Sequence, residues 1–511
     1  MTFAKRTVLA ALLGGLLLFA GQANVAHADE TGEMMGKTPA VDIPDPVSLT
    51  DRRSLRLSSG TVRYDVVAKE TYLRDEADEP IASIFSMAYV QAEGETDRPV
   101  TFVFNGGPGS ASLWLHMGAF GPKRVITPSD AQDVGAPPYP IVDNPHALLD
   151  VTDLVFIDPV GTGYSRALGA AEAQQFYGIK EDADSIAEFI RLWLTENGRW
   201  NSPKYLAGES YGTTRAAALV ESLQGGWNGV ALNGVILVSA ILDFQTARFG
   251  PGNDTPHIAF FPTMAATAWY HGKIDRTAWD GDFDRFIKGS IDFAVDDLSP
   301  ALIRGNTLSD ADRDRLANAM AGFLGLSPTY IVGSNLRIDA TRFRKELLRA
   351  EGMTVGRFDS RYRGLDPDSV GERPENDPSG YGMDVAYVAA VNDYLTRDLG
   401  LPITREYKVL TGEPGSHWNW DITGRGWPSY VNVAPWLGKG MRENREFRVL
   451  LASGWYDLAT PFYGAEMALQ KNGVVPERIA ITYYDAGHMM YLSEADAEKL
   501  SNDVRAFIRG G

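Results

Sequence analysis

Residues 61–69 and 81–92 alternate apolar and polar side chains, the period-two pattern of strands that bury one face. The charged stretch Arg74 to Glu79 between them reads as the turn of an antiparallel hairpin. Three compact runs follow, Pro99 to Phe104, Leu154 to Ile157 and Val235 to Val238, rich in β-branched and aromatic residues. Such runs suit strands covered on both faces. Between them, Ile186, Phe189, Ile190, Trp193 and Leu194 recur at helical spacing within 180–196, and Thr213 to Val220 reads as another helix. Strands alternating with helices predict an α/β fold: a mostly parallel central sheet flanked by helices.

That regularity stops near residue 245. From there to about 440 the pattern shows helical stretches at roughly 310–324 and 340–351, then a loop rich in Gly, Asp and Pro over 359–382. A segment bearing Trp418, Trp420, Trp427 and Trp436 closes the stretch. Sheet signals return at Phe447 to Ala452 and Arg478 to Tyr484, and a last helix is expected near 494–508. The expected organisation is a core formed by 29–245 and 441–511, with 246–440 inserted as a cap over the active site.

Composition narrows the function classes. The formal net charge of −18 argues against nucleic acid or an anionic membrane as partner. Residues 1–28 have the layout of a secretory signal: Lys5 and Arg6, an apolar run from Val8 to Phe19, and the small-residue site Ala26-His27-Ala28. That run is too short for a membrane span, so export to the periplasm or exterior without a stable membrane anchor is expected. The chain has no cysteine, which removes disulfides, thiol catalysis and cysteine metal sites together. No metal-ligand spacing or cofactor motif appears.

Candidate chemistry centres on Gly208-Glu209-Ser210-Tyr211-Gly212, between the apolar run Tyr205-Leu206-Ala207 and a helix. Strand, Gly-x-Ser-x-Gly, helix is the layout of a nucleophile elbow, which lifts a serine clear of the sheet. Serine needs a base, and on such sheets the partners follow in the order acid, then histidine. Of His257, His271, His417 and His488, only His488 sits just beyond a late strand. Asp457 lies in the loop after the preceding strand, where a carboxylate can fix the imidazole tautomer. Asp485 is the alternative acid. Backbone N–H groups for a developing oxyanion are expected from the loop Asn105-Gly106-Gly107-Pro108-Gly109 and from Tyr211.

Asn105 to Ser110, Asp158-Pro159-Val160-Gly161-Thr162-Gly163-Tyr164-Ser165, the elbow and Gly487-His488-Met489 occur in this order. Together they resemble the motifs of the serine carboxypeptidases, over about 95–240 and 447–508. The resemblance implies an α/β-hydrolase fold, a Ser210–His488–Asp457 triad and an oxyanion hole from Gly107 and Tyr211. It further implies that Asn105, Gly106 and Glu209 hold the substrate's terminal carboxylate, with a proton shared between carboxyls at acidic pH. The chain departs from the pattern at Ala119, where the family has a second glutamate, at Val103, where it has a tryptophan, and in lacking the family's disulfides. The reading carried forward is a serine carboxypeptidase acting on peptides. An esterase, amidase or acyltransferase on the same scaffold, favoured by Ala119, and a non-catalytic binding protein are the alternatives.

Overall fold

The computed structural model describes residues 43–225, 229–381, 383–424 and 430–510. The signal-like segment 1–28 and Trp427 lie outside the described residues. The main sheet has ten strands. Nine form a continuous path: β1 (Ser48–Leu57), β2 (Gly60–Arg74), β3 (Pro80–Gln91), β4 (Val100–Phe104), β5 (Asp153–Ile157), β6 (Lys204–Glu209), β7 (Gly234–Val238), β8 (Arg448–Gly454) and β9 (Ile479–Tyr484). Their spatial order is β1-β2-β3-β5-β4-β6-β7-β8-β9, with the two-residue strand Arg166–Ala167 beside β3. The first three run antiparallel, and from β5 to β9 every neighbouring pair is parallel.

The hairpin expected at 61–69 and 81–92 is therefore the inner part of a three-stranded meander. β1 escapes a pattern reading because it is an edge strand: of its ten residues only Leu55 and Leu57 are buried. Its pairing with β2 is reinforced by Arg52, whose guanidinium grips Asp65 at 2.7 Å across the strands.

Helices α1 (Ile179–Glu196) and α2 (Tyr211–Gln224) cover one face, where Ile186, Phe189, Ile190 and Leu194 pack with Leu219 and Leu223. Helices α3 (Phe261–Tyr270), α4 (Phe283–Phe293) and α5 (Asp310–Leu324) lie within the expected insertion. Their core is aromatic: Phe323 meets the rings of Phe261, Phe286 and Phe293 at centroid distances of 5.7, 5.7 and 5.4 Å. The expected helix over 340–351 is an α-helical turn, Ala340–Glu346, followed by a tighter turn at Arg349–Glu351. The expected loop over 359–382 contains a strand, Arg363–Leu365, paired with Met353–Val355, and a short helix, Pro378–Tyr381.

The rest of 246–440 packs differently. Helix α6 (Asp384–Asp393) and the stretch to Tyr407 join the core on the other face of the sheet, with α8 (Glu494–Arg509). Helix α7 (Ala434–Glu443) joins the α1/α2 face. Among the described residues no helix is long and apolar enough to cross a membrane.

Candidate active site

β6 delivers Glu209 and Ser210 to a turn that only glycine tolerates on both sides. A Cβ at Gly208 would fall 2.2 Å from the Gly212 carbonyl, and one at Gly212 would fall 2.9 Å from that of Phe104. Ser210 itself sits at φ 60°, ψ −129°. A left-handed φ at a side-chain-bearing residue costs about 1–3 kcal/mol and persists only where neighbours enforce it. The enforcing contacts are the Ser210 N–H donated to the Val238 carbonyl of β7 (3.0 Å) and the Thr213 N–H donated to the Ser210 carbonyl (2.9 Å). α2 starts immediately after the serine, so its positive end faces the site.

The glycine loop that ends β4 lies against this turn. A Cβ at Gly106 would sit 2.5 Å from the Tyr211 nitrogen. Gly107 has φ +104°, and Gly109 leaves room for the Thr411 carbonyl, while the Thr411 N–H donates to the Gly109 carbonyl at 2.9 Å. The motif Asp158 to Ser165 braces the same loop. Asp158 Oδ1 accepts the Ser112 N–H at 2.9 Å and the Tyr407 hydroxyl at 3.2 Å, and Gly163 leaves space for its other oxygen. Burial pushes the Asp158 carboxyl up to about 6.

His488 Nδ1 lies 2.7 Å from Asp457 Oδ2, with both residues buried. Asp457 also accepts the N–H groups of Ala459 and Thr460 at 2.8 and 2.9 Å and the Thr460 hydroxyl at 2.7 Å, so its orientation is fixed by the loop after β8. The His488 N–H donates to the Phe358 carbonyl at 2.6 Å, and the Ser239 hydroxyl donates to the His488 carbonyl at 2.6 Å. Burial alone depresses the imidazolium; the adjacent Asp457 charge and hydrogen bond, with the Glu209 charge, outweigh it and raise the His488 pKa. The alternative acid, Asp485, is exposed, and among the described residues no hydrogen bond or ion pair joins its carboxylate to His488; its backbone carbonyl accepts from Arg361 and its N–H donates to Asp496. His257, His271 and His417 bond to the carbonyls of Ile338, Ser360 and Glu413, and none of them lines the cavity.

Ser210, His488, Asn105, Gly106, Gly107, Glu209 and Tyr211 line one cavity of about 330 Å³, within the range of small-ligand sites. Glu209 is buried in its wall and accepts the Tyr491 hydroxyl at 2.7 Å. Burial raises its carboxyl to about 7, against the opposing pull of His488, Tyr491 and Asn105. Ala119 is buried in a wide turn, Leu115–Phe120, and the neighbouring Gly118 leaves space for the Tyr491 ring and the Tyr387 hydroxyl. A phenol thus holds the Glu209 carboxyl. Val103 is buried in the sheet. Among the described residues no cluster of His, Asp and Glu is placed to hold a metal ion.

Sequence reading missed three supports. Thr460 comes from a loop and Tyr491 from a single tight helical turn, Met490–Leu492, and neither local pattern carries a signal. Arg215 did carry one, as a charge immediately before the small and apolar run Ala216 to Val220. Its side chain is buried against Asp182 of α1, donates to the Asn105 carbonyl, and stacks on Phe104 and Tyr211.

Residues 68–292 match a family model described as serine carboxypeptidase. Serine carboxypeptidase-like 34 of Arabidopsis thaliana is 25% identical over 206 residues, 39% of this chain and 37% of that protein. Serine carboxypeptidase-like 36 of the same plant is 31% identical over 115 residues, 22% of each chain. The chain thus spans little more than a third of the length of the curated relatives it matches. In fold, it is similar to a prohormone-processing carboxypeptidase from Saccharomyces cerevisiae, with a TM-score of 0.53 and 16% identity over 87% of this chain and 90% of that one. The ordered motifs and the match over residues 68–292 agree in making this stretch similar to the serine carboxypeptidases, and the solved structure shares the α/β-hydrolase architecture.

Proposed function

We propose that this protein is an exported serine hydrolase that releases C-terminal residues from peptides through an acyl-enzyme. Ser210 Oγ attacks the scissile carbonyl carbon while His488 Nε2 takes its proton. Asp457 keeps the other ring nitrogen protonated and stabilises the imidazolium. The tetrahedral oxyanion is received by the N–H groups of Gly107 and Tyr211. His488 then gives its proton to the leaving amine, and water repeats the sequence in reverse to free the acyl half and restore Ser210. The observation that carries this reading is the buried 2.7 Å His488–Asp457 pair opening onto the same cavity as a serine on a strained elbow.

Asn105, Gly106 and Glu209 receive the substrate's terminal carboxylate. A carboxyl with a pKa near 7 is neutral below that pH, so Glu209 can accept from Tyr491 through one oxygen and donate to an anion through the other. Ala119 supports a second reading, an esterase, amidase or acyltransferase, since it removes one of two carboxyls that would grip a peptide terminus. An acidic protein of net charge −18 is not suited to nucleic acid as a partner.

A fluorophosphonate probe should label the protein and fail on Ser210→Ala; equal labelling of both removes the enzymatic reading. N-blocked dipeptides with free and amidated C-termini, assayed beside simple p-nitrophenyl esters, separate the two enzymatic classes. The carboxypeptidase reading is abandoned if amidation makes no difference or if only esters are cleaved.

A further inference from the structure

The cavity wall carries two guanidiniums, Arg248 and Arg357, in a chain whose formal net charge is −18. Each stacks on an aromatic ring of the same wall. Arg248 lies over Phe244 at 5.6 Å and Trp420 at 5.8 Å, and Arg357 lies over Phe358 at 5.1 Å. Both are exposed, and among the described residues neither is ion-paired, although Glu209 and Asp384 also reach the cavity.

The two arginines belong to different aromatic stretches of the cavity wall. Phe358 packs on His488 with ring centroids 5.2 Å apart. His488 must protonate the leaving amine, so the Arg357 side is the leaving-group side, where the terminal carboxylate is already placed. Trp420 instead packs on Tyr211, 5.9 Å between centroids, and on Phe244, 5.2 Å. That wall begins at the residue after Ser210 and, among the described residues, has no ring contact with His488, which favours it as the acyl side.

Arg248 is held there by its backbone. Its N–H donates to the Phe244 carbonyl at 3.1 Å, and buried Asn253 donates to the carbonyls of Arg248 and Gln245, both at 2.9 Å. A guanidinium stacked on two rings keeps its edge N–H groups free for a planar anion, and a pre-ordered fork loses less freedom on binding one.

Resting on the hydrolase reading above, we propose that Arg248 determines specificity by receiving a carboxylate on the acyl half of the substrate, an aspartyl or glutamyl side chain immediately before the cleaved bond. A charge-assisted, bidentate pair in a half-enclosed aromatic pocket accounts for a preference of about tenfold over the uncharged isostere.

The test compares N-blocked dipeptides bearing Glu, Gln or Lys at the acyl position with one common leaving residue. Wild type should favour Glu over Gln by about tenfold in kcat/KM at low ionic strength, with the ratio shrinking as salt screens the pair. Arg248→Met, which keeps an apolar stem over Trp420, should bring that ratio to about one, and Arg248→Glu should favour Lys. Fluorophosphonate uptake at Ser210 reports whether each variant is correctly folded. A wild-type Glu/Gln ratio near one, or a ratio that survives Arg248→Met, overturns the proposal while leaving the hydrolase reading intact. Absence of any Ser210-dependent labelling or ester turnover in wild type would instead defeat the hydrolase reading, and this inference with it.

Discussion

Arg215 Nε lies 2.6 Å from Asp182 Oδ2, joining the helix that follows the elbow to the helix beside it, with both side chains buried. The guanidinium spans to the Asn105 carbonyl as well, so one cation ties α1, α2 and the glycine loop together. Burial raises the Asp182 carboxyl, and the Arg215 charge and hydrogen bond oppose that rise. Removing one member of such a pair leaves the other uncompensated, at a cost of about 3–5 kcal/mol. Asp182→Ala should therefore unfold at markedly lower denaturant concentration. A change below about 1 kcal/mol would show that Arg215 finds another partner or water.

If Glu209 receives the terminal carboxylate as proposed, it should set a pH limit on free-acid substrates. Its carboxyl is raised from the ordinary 4.5 to about 7, so its donor proton is present below about pH 7 and absent above it. KM for free-acid peptides should rise as pH passes 7, with little change for amides and esters. Glu209→Gln should flatten that dependence and weaken free acids more than esters. Equal losses on both substrate classes would remove the carboxylate-reading role.

The same shift has a stability consequence of opposite sense to an ordinary salt-bridged carboxylate. Between about pH 4.5 and 7 the folded state holds a proton on Glu209 that the unfolded chain has released, so stability falls as pH rises through this window. Glu209→Gln abolishes that penalty. At pH 8 its stability should exceed wild type by on the order of a few kcal/mol, read as a higher melting temperature, and the two should converge near pH 4. Parallel melting curves across the whole range would contradict the assigned burial.

Tyr491 holds Glu209 toward its ionised form. Tyr491→Phe removes that lowering influence, and the pH limit for free-acid substrates should move upward. A shift downward, or none, would mean the phenol does not bond Glu209 in solution.

Asp457 raises the His488 pKa and holds its tautomer. Asp457→Asn should lower kcat by about 10⁴, the scale established for a serine protease triad, and displace the acidic limb of the rate profile to lower pH. Loss of rate with an unmoved acidic limb would indicate a purely steric role for the carboxylate.

Much of the site was legible because its motifs answer to local backbone needs. Gly208 and Gly212 flank a turn in which a Cβ would strike neighbouring backbone, and Gly106 lies against the turn itself. The serine can occupy this position only between such residues, so a short sequence window records the geometry. Alternation records one-sided burial in β2, whereas β3, read from the same pattern, is buried on both faces from Ala82 to Tyr89 like the compact parallel strands, and β1 at the edge carries too much charge to be read. The insertion was harder for the same reason. Stretches around Tyr387 and Leu437 are continuous in sequence with the aromatic cluster of α3 to α5, yet they bury against the two faces of the sheet, a choice local periodicity does not encode.

The elbow, the order of its candidate partners and the α/β character of the core were legible in the chain alone, since each is written in short local motifs or periodicity. Tertiary structure alone chose Asp457 over Asp485 as the partner of His488, because reach is decided by where the loop after β8 crosses the edge of β9. It alone also set Tyr491 against Glu209 and left Arg248 and Arg357 in the cavity wall with no ion pair among the described residues. Those relationships join residues tens to hundreds of positions apart, and their free energies come from shared burial and charge, which exist only once the chain has packed.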